Sequence, residues 1–206
     1  MRIVPLSPDR WDALANLFGK AGASSGCWCM YWRLGNGYYR RPHEQNREDF
    51  RTVVAAGPPP GLLAYKGELA VGWCQLTPRD ALPWLDRARY LGRVDEAAVW
   101  SISCFFVRRG YRGQGVASEL ILAAVDAARA AHVDLLEAYP IDASVPGASR
   151  NNFTGSAAAF RRAGFATVAA RTPCRPIMRY DLRAESATRG GDSPLTGRRE
   201  SPPQTE

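Results

Sequence analysis

The sequence predicts an α/β (α+β) domain built around a mixed sheet. Three observations carry that expectation. A run rich in β-formers, AVWSISCFFV (98–107), leads into a glycine loop, RRGYRGQG, and a long helical pattern opens immediately after it. Two apolar runs, GLLAY and ELAVGWCQL, flank Lys66-Gly67 as the arms of a β-hairpin. Helical and strand patterns also alternate along most of the chain. Together they predict a mixed central sheet of about six to seven strands flanked by about four helices.

Arg2 to Leu6 form a short first strand. Ser7 then stands as a helix cap with Pro8 at the first helical position, and Trp11, Leu14, Ala15 and Phe18 follow at helical spacing. Gly19 and Gly22 end that helix. GCWCMYWR (26–33) lies just beyond, in or near a short helix or loop. Its Trp28, Tyr31 and Trp32 stand at i, i+3 and i, i+4, which on a helix is one face. A second helix is expected over His43–Ala56, with Phe50, Val53 and Val54 as its buried stripe. Gly57 and Pro58 to Pro60 stop it. After the hairpin, a short helix is expected near Leu82 to Leu91.

The clearest helix is GVASELILAAVDAARAAH, where Val116, Leu120, Ala124 and Ala128 repeat every fourth residue. DLLEAYP (134–140) is another strand. Phe153 to Ala163 reads as a helix closed by Gly164. FATVAAR and RPIMRYDL supply the last two strands. From Ala184 the composition turns to Ser, Pro, Gly and charge, with Leu195 the one bulky aliphatic residue. Such a segment buries too little apolar surface to offset its chain entropy. A domain over 1–183 and a disordered tail over 184–206 are therefore expected.

Composition narrows the function classes. The chain has 206 residues, 46% hydrophobic and 23% charged, and no apolar run near the ~20 residues of a membrane span. The first residues lack the apolar core of a signal peptide, so a cytoplasmic location is expected and no membrane partner. The net charge of +7 is almost all arginine, since Lys20 and Lys66 are the only lysines. These arginines are scattered rather than clustered, which argues against nucleic acid as the partner. The odd count of five cysteines argues against a disulfide framework. Cys27 and Cys29 are spaced C-x-C with no second cluster to complete a site, so no metal is expected. A homodimer is left open.

The glycine loop is the strongest chemical signal. Gly110, Gly113 and Gly115 let backbone N–H groups approach a ligand, and the helix start adds unpaired N–H groups and partial positive charge. That combination suits a pyrophosphate. The loop has no lysine for a Walker motif, and Ser118 breaks the dinucleotide fingerprint. Its order, Val107-x-x-x-x-Arg112-x-x-Gly115-x-Ala117, resembles the acetyl-CoA motif of the GNAT superfamily of N-acetyltransferases, Arg/Gln-x-x-Gly-x-Gly/Ala. The sequence of elements over residues 2 to 182 resembles that family too, as does the Gly164-Phe165 pair closing the fourth family helix.

The resemblance implies an acetyl-CoA-dependent N-acetyltransferase that moves acetyl directly to a primary amine. The acceptor would be a small molecule (a metabolite or amine-bearing drug) or a protein lysine. It implies that strands 98–107 and 134–140 splay to admit the pantetheine. Backbone groups of Phe105, Phe106 and Val107 would line the pantetheine and the acetyl carbonyl. Arg112, Gly113, Gln114, Gly115, Val116, Ala117 and Ser118 would wrap the pyrophosphate. The region holding Trp28, Tyr31 and Trp32 would be the acceptor wall. Glu137 is the candidate general base, ahead of Asp95 and Glu96. The family's acid, a helix tyrosine, falls on Phe160, which has no proton to give; Tyr139 and Ser156 are the substitutes. The same gap motivates an alternative, a catalytically weak acyl-CoA-binding sensor or regulatory module.

Overall fold

The structure, a computed structural model, describes residues 1–148 and 152–183. The expected tail over 184–206 lies outside the described residues. Seven strands form one sheet: β1 (Arg2–Pro5), β2 (Gly61–Lys66), β3 (Leu69–Pro78), β4 (Trp100–Val107), β5 (Leu135–Ala138), β6 (Ala166–Ala169) and β7 (Ile177–Asp181). Their order is β1-β2-β3-β4-β5-β7-β6. Every neighbouring pair is antiparallel except β4 and β5, which run parallel. A parallel pair needs a crossover, and here the long helix supplies it.

Among the described residues there are six α-helices: α1 (Trp11–Phe18), α2 (Tyr31–Leu34), α3 (His43–Ala56), α4 (Trp84–Arg87), α5 (Val116–Ala130) and α6 (Ala157–Arg162). The sequence predicts about four. Two of the six, α2 and α4, are single turns of four residues each, lying in the stretches expected to hold short helices. Three expected helices are shorter than their patterns. The Ser7-Pro8 start opens a 3-10 turn over Pro8–Arg10, and α1 begins only at Trp11. Leu82 to Leu91 is helical only at Trp84–Arg87, because Ala88 turns extended. Phe153 to Ser156 is not helical; Gly155 takes φ +85° there, and α6 starts at Ala157.

The helices divide between the two faces of the sheet. Val116, Leu120, Ala124 and Ala128 of α5 pack with Phe160 of α6 on Leu62, Ile102, Leu136 and Met178. The i, i+4 stripe thus becomes the buried seam of α5, as its period requires. Gly72 of β3 makes this docking close. A Cβ there would come within 2.6 Å of Val116 Cγ1. On the other face, α1 and α3 cover Leu63, Tyr65 and Trp73, and α2 and α4 extend that layer with Trp32, Leu82 and Leu85.

β4 carries a bulge. Gln75 pairs with Cys104 and Leu76 pairs with Ile102, so Ser103 is an extra residue. Side chains of a regular strand alternate faces, so residues three apart would point oppositely. The bulge resets the alternation, and both Ile102 and Phe105 face α5.

Candidate active site

β4 and β5 are paired only through Trp100–Leu136, Ser101–Glu137 and Ile102–Ala138. Beyond Ile102, β4 continues to Val107 with β3 alone as its strand partner. The chain leaving β5 diverges, so the sheet is open on this side of Ser103 to Val107. Residues 153–156 bridge the opening. The Phe105 amide donates to the Phe153 carbonyl at 2.6 Å, and the Ile141 amide donates to the Gly155 carbonyl at 2.9 Å. Ile141 and Ser156 form an isolated parallel bridge.

The amide directions along β4 follow from two bonds. Phe105 donates away from β3, while Arg108 donates to Val71 at 2.9 Å, towards β3. Backbone groups alternate, so the Val107 amide points into the opening and the Phe106 amide points to β3. Of the three β4 residues expected to line an acyl donor, Phe105 and Val107 turn an amide that way. Phe106 instead packs its ring edge-on against Phe18 at 5.6 Å.

Past Val107 the chain makes a 3-10 turn over Arg109–Tyr111 and enters α5 through Arg112, Gly113, Gln114 and Gly115. Two side chains shape this loop. Arg112 Nε donates to the Val107 carbonyl at 2.9 Å, and Gln114 Nε2 donates to the Gly110 carbonyl at 2.9 Å. Gly115 caps α5 in the left-handed conformation, φ +81°, and no side chain caps the helix. The amides of Val116, Ala117 and Ser118 are thus the orphan donors of a helix start, and a Cβ built at Gly113 or Gly115 would meet no atom within 4 Å. The loop fits a pyrophosphate.

The expected catalytic side chains are placed differently from one another. Glu137 is 1% exposed and both its oxygens are engaged. Oε1 accepts from Arg79 Nη1 at 2.6 Å and from the Tyr139 hydroxyl at 2.8 Å; Oε2 accepts from Arg179 Nε at 2.8 Å. Arg79 also holds Asp86, and Arg179 holds Asp95. This network locks Glu137 between two cations. Tyr139 is fully buried, bonded also to the Ser101 hydroxyl at 2.8 Å, and burial pushes its phenol far above the ordinary range. Ser156 lies on the bridging segment, where its Oγ accepts from the Ala159 amide at 3.3 Å as the cap of α6. Phe160 is fully buried against Phe105 and Phe165.

The aromatic stretch is not the single helical face that its spacing predicts. Trp28 and Cys29 adopt positive φ, +45° and +58°, and the helix begins only at Tyr31. Trp28 is buried, stacked on Trp11 at 5.9 Å and tilted against Phe18. Trp32 is buried too, and its Nε1 donates to the Ser103 carbonyl, at the bulge, at 3.0 Å. Tyr31 alone of the three is half-buried, edge-on to Phe153 at 6.1 Å. Burial raises its phenol above the usual value. The five cysteines are free. Cys29 Sγ accepts from Trp73 Nε1 at 3.0 Å, and burial pushes Cys27 up to about 12 and Cys29 well above the usual range. Both are neutral thiols near pH 7. Among the described residues, no cluster of three or more His, Cys, Asp or Glu is placed for a metal, and no helix is long and apolar enough to cross a membrane.

Sequence reasoning misses Phe153, Thr154, Tyr90 and Arg175, which gather beside the opening from three separate segments. No local pattern marks them.

The model of the GNAT acetyltransferase family matches residues 27–148, which hold β2 to β5 and the whole glycine loop. The chain belongs to the GNAT acetyltransferase family. It is therefore an acetyl-CoA-dependent N-acetyltransferase by family. Solved structures share the fold at low identity. A ribosomal-protein-alanine N-acetyltransferase from Brucella melitensis superposes with TM-score 0.54 at 16% identity, over 88% of this chain and 100% of that one. The GNAT domain of S. lividans PAT gives 0.52 at 18% identity, over 88% and 90%. PaiA N-acetyltransferase from Thermoplasma acidophilum, solved with coenzyme A, gives 0.50 at 13% identity, over 88% and 98%. No curated protein sequence matches at a significant level.

Proposed function

We propose that this GNAT domain, over residues 1–183, transfers acetyl to the primary amine of a small molecule. The observation that carries the proposal is the opening between β4 and β5, which ends at the uncapped start of α5. Acetyl-CoA, when bound, supplies an activated thioester carbonyl. The amides of Val116, Ala117 and Ser118 would hold its pyrophosphate, with Arg112 adding positive potential. The Val107 amide, turned into the opening, is the donor for the developing oxyanion. Placing amine and thioester together in this slot supplies orientation. Glu137, held by two arginines, supports β5 rather than taking the proton. Deprotonation would run through water, and the Ser156 hydroxyl on the bridging segment is the candidate acid.

A small acceptor is favoured over a protein lysine because the half-buried side chains beside the opening, Tyr31, Tyr90 and Phe153, are aromatic and set in the fold. One observation favours the second reading, a catalytically weak acyl-CoA sensor. Phe160 fills the position of the family's tyrosine and has no proton to give. A thiol-release assay with acetyl-CoA and a panel of small amines and lysine peptides separates the two. Amine-dependent CoA release, faster with small amines, supports transfer. Tight acetyl-CoA binding without release across the panel would replace it with the sensor.

A further inference from the structure

Interior arginines of this protein are mostly paired with carboxylates. Arg79 and Arg179 share Glu137, and Arg41 takes Asp49. Arg175 differs: among the described residues it forms no ion pair. Its half-buried guanidinium makes one side-chain hydrogen bond, from Nη1 to Thr154 Oγ1 at 3.1 Å, and sits 5.8 Å from the centroid of the Tyr90 ring.

The loop carrying this cation is held in place. The Arg175 amide donates to the Thr172 carbonyl at 3.0 Å, and the Cys174 carbonyl accepts from the Asp142 amide at 3.0 Å. Arg171 reaches the carbonyls of Gly92 and Arg93 at 2.6 and 2.9 Å, which ties the loop to the segment bearing Tyr90. Thr154 is fully buried and belongs to the bridging segment, whose Phe153 carbonyl bonds the Phe105 amide on β4. Tyr31 lies within the electrostatic reach of Arg175. The cation therefore stands on the aromatic side of the opening. Arg33, two residues after Tyr31, adds a second charge. It donates to the Ala81 carbonyl at 3.1 Å, its buried Nε has no partner, and among the described residues no carboxylate faces it.

We propose that Arg175 anchors the acceptor by binding a carboxylate on the amine substrate, so the preferred acceptors are amines that carry a carboxylate, as free amino acids do. This rests on the amine-acceptor function proposed above. A guanidinium offers five N–H donors in a rigid fork that matches a carboxylate with two parallel bonds, and here one donor group is fixed by Thr154. Half-burial beside aromatic rings strengthens a charge-assisted pair relative to open water. The Tyr90 ring, 5.8 Å away, adds a cation–π contact that favours the guanidinium in this position.

Initial rates test the proposal on the full chain with acetyl-CoA. The acceptors are glycine, β-alanine and L-phenylalanine, each beside its primary amide, and a lysine peptide flanked by aspartates. Each acceptor is compared between wild type and the variants Arg175→Gln and Arg175→Lys, so differences in amine basicity cancel. The expected result is a rise of about tenfold or more in KM for the free acids in Arg175→Gln, the loss of a charge-assisted bond. The amides, kcat and the KM for acetyl-CoA should stay within about twofold, and Arg175→Lys should fall between. An equal loss on acids and amides, or no change on the acids, overturns the proposal while leaving acetyl transfer standing. An Arg175-dependent preference for the aspartate-flanked peptide over the free acids overturns the small-acceptor source. No amine-dependent CoA release with any acceptor overturns both this inference and the transfer function.

Discussion

The Phe105 amide of β4 donates to the Phe153 carbonyl at 2.6 Å, across the opening where the sheet parts. This bond ties the bridging segment to the strand that presents the proposed oxyanion donor. An acyl donor that enters beside β4 must share this edge or displace Phe153. Hydrogen exchange should therefore change at residues 103–107 and 152–156 when acetyl-CoA is added, while β2 stays unchanged. Equal exchange at both segments with and without acetyl-CoA would place the donor elsewhere.

Glu137 is predicted to matter for stability before chemistry. Removing it in Glu137→Ala breaks the buried pair and leaves Arg79 with only the exposed Asp86 as an ionic partner, a loss of about 3–5 kcal/mol. Thermal melting should show that loss directly. A variant with an unchanged melting temperature and a collapsed kcat would instead make Glu137 the base.

Trp28 and Tyr31 are three residues apart in the chain and belong to different environments. Trp28→Ala empties a stacked site under α1 and α3, and should cost about 3–5 kcal/mol. Tyr31→Ala removes a half-buried ring beside the opening. It should shift acceptor KM severalfold with little change in melting temperature. If Trp28→Ala melted like the wild type and altered acceptor preference, Trp28 would be the wall and not the core.

Gly115 stands at φ +81° at the start of α5. A β-branched residue is strained there, and Gly115→Val should lose about 1–3 kcal/mol of stability. The rearranged loop would also misplace the orphan amides, so acetyl-CoA affinity measured by calorimetry should fall about tenfold or more, the scale of a lost anion contact. Unchanged affinity would remove the loop from the cofactor site.

Asp142 links the chain after β5 to α6. The Ser144 hydroxyl and the Arg161 guanidinium hold its carboxyl at about 2, below its ordinary 3.8. A depressed carboxylate pKa stabilises the fold above the unfolded value and is lost as the pH falls through the folded one. The melting-temperature gap between wild type and Asp142→Asn should thus be constant above about pH 5 and close towards about pH 2. A gap that persists unchanged to pH 2 would show that the carboxylate charge is not its source.

The order of the elements was legible in the sequence because periodicity and turn chemistry are local. The α5 stripe, the hairpin around Lys66-Gly67, the limits of α3 and the glycine loop all depend on residues within a few positions of each other. So does the motif that carried the family resemblance, which lies within the family match over residues 27–148. Residues 153–156 broke the helical expectation because their backbone bonds go to Phe105 and Ile141 instead of to the next turn. Tertiary structure alone decided the rest. It paired Glu137 with two distant arginines, buried Trp28 while leaving Tyr31 half-open, turned the Val107 amide into the opening through the β3 register, and set Arg175 beside Tyr90 and Thr154. Each of these depends on contacts between segments far apart in the chain, and such contacts leave no spacing for a sequence to show.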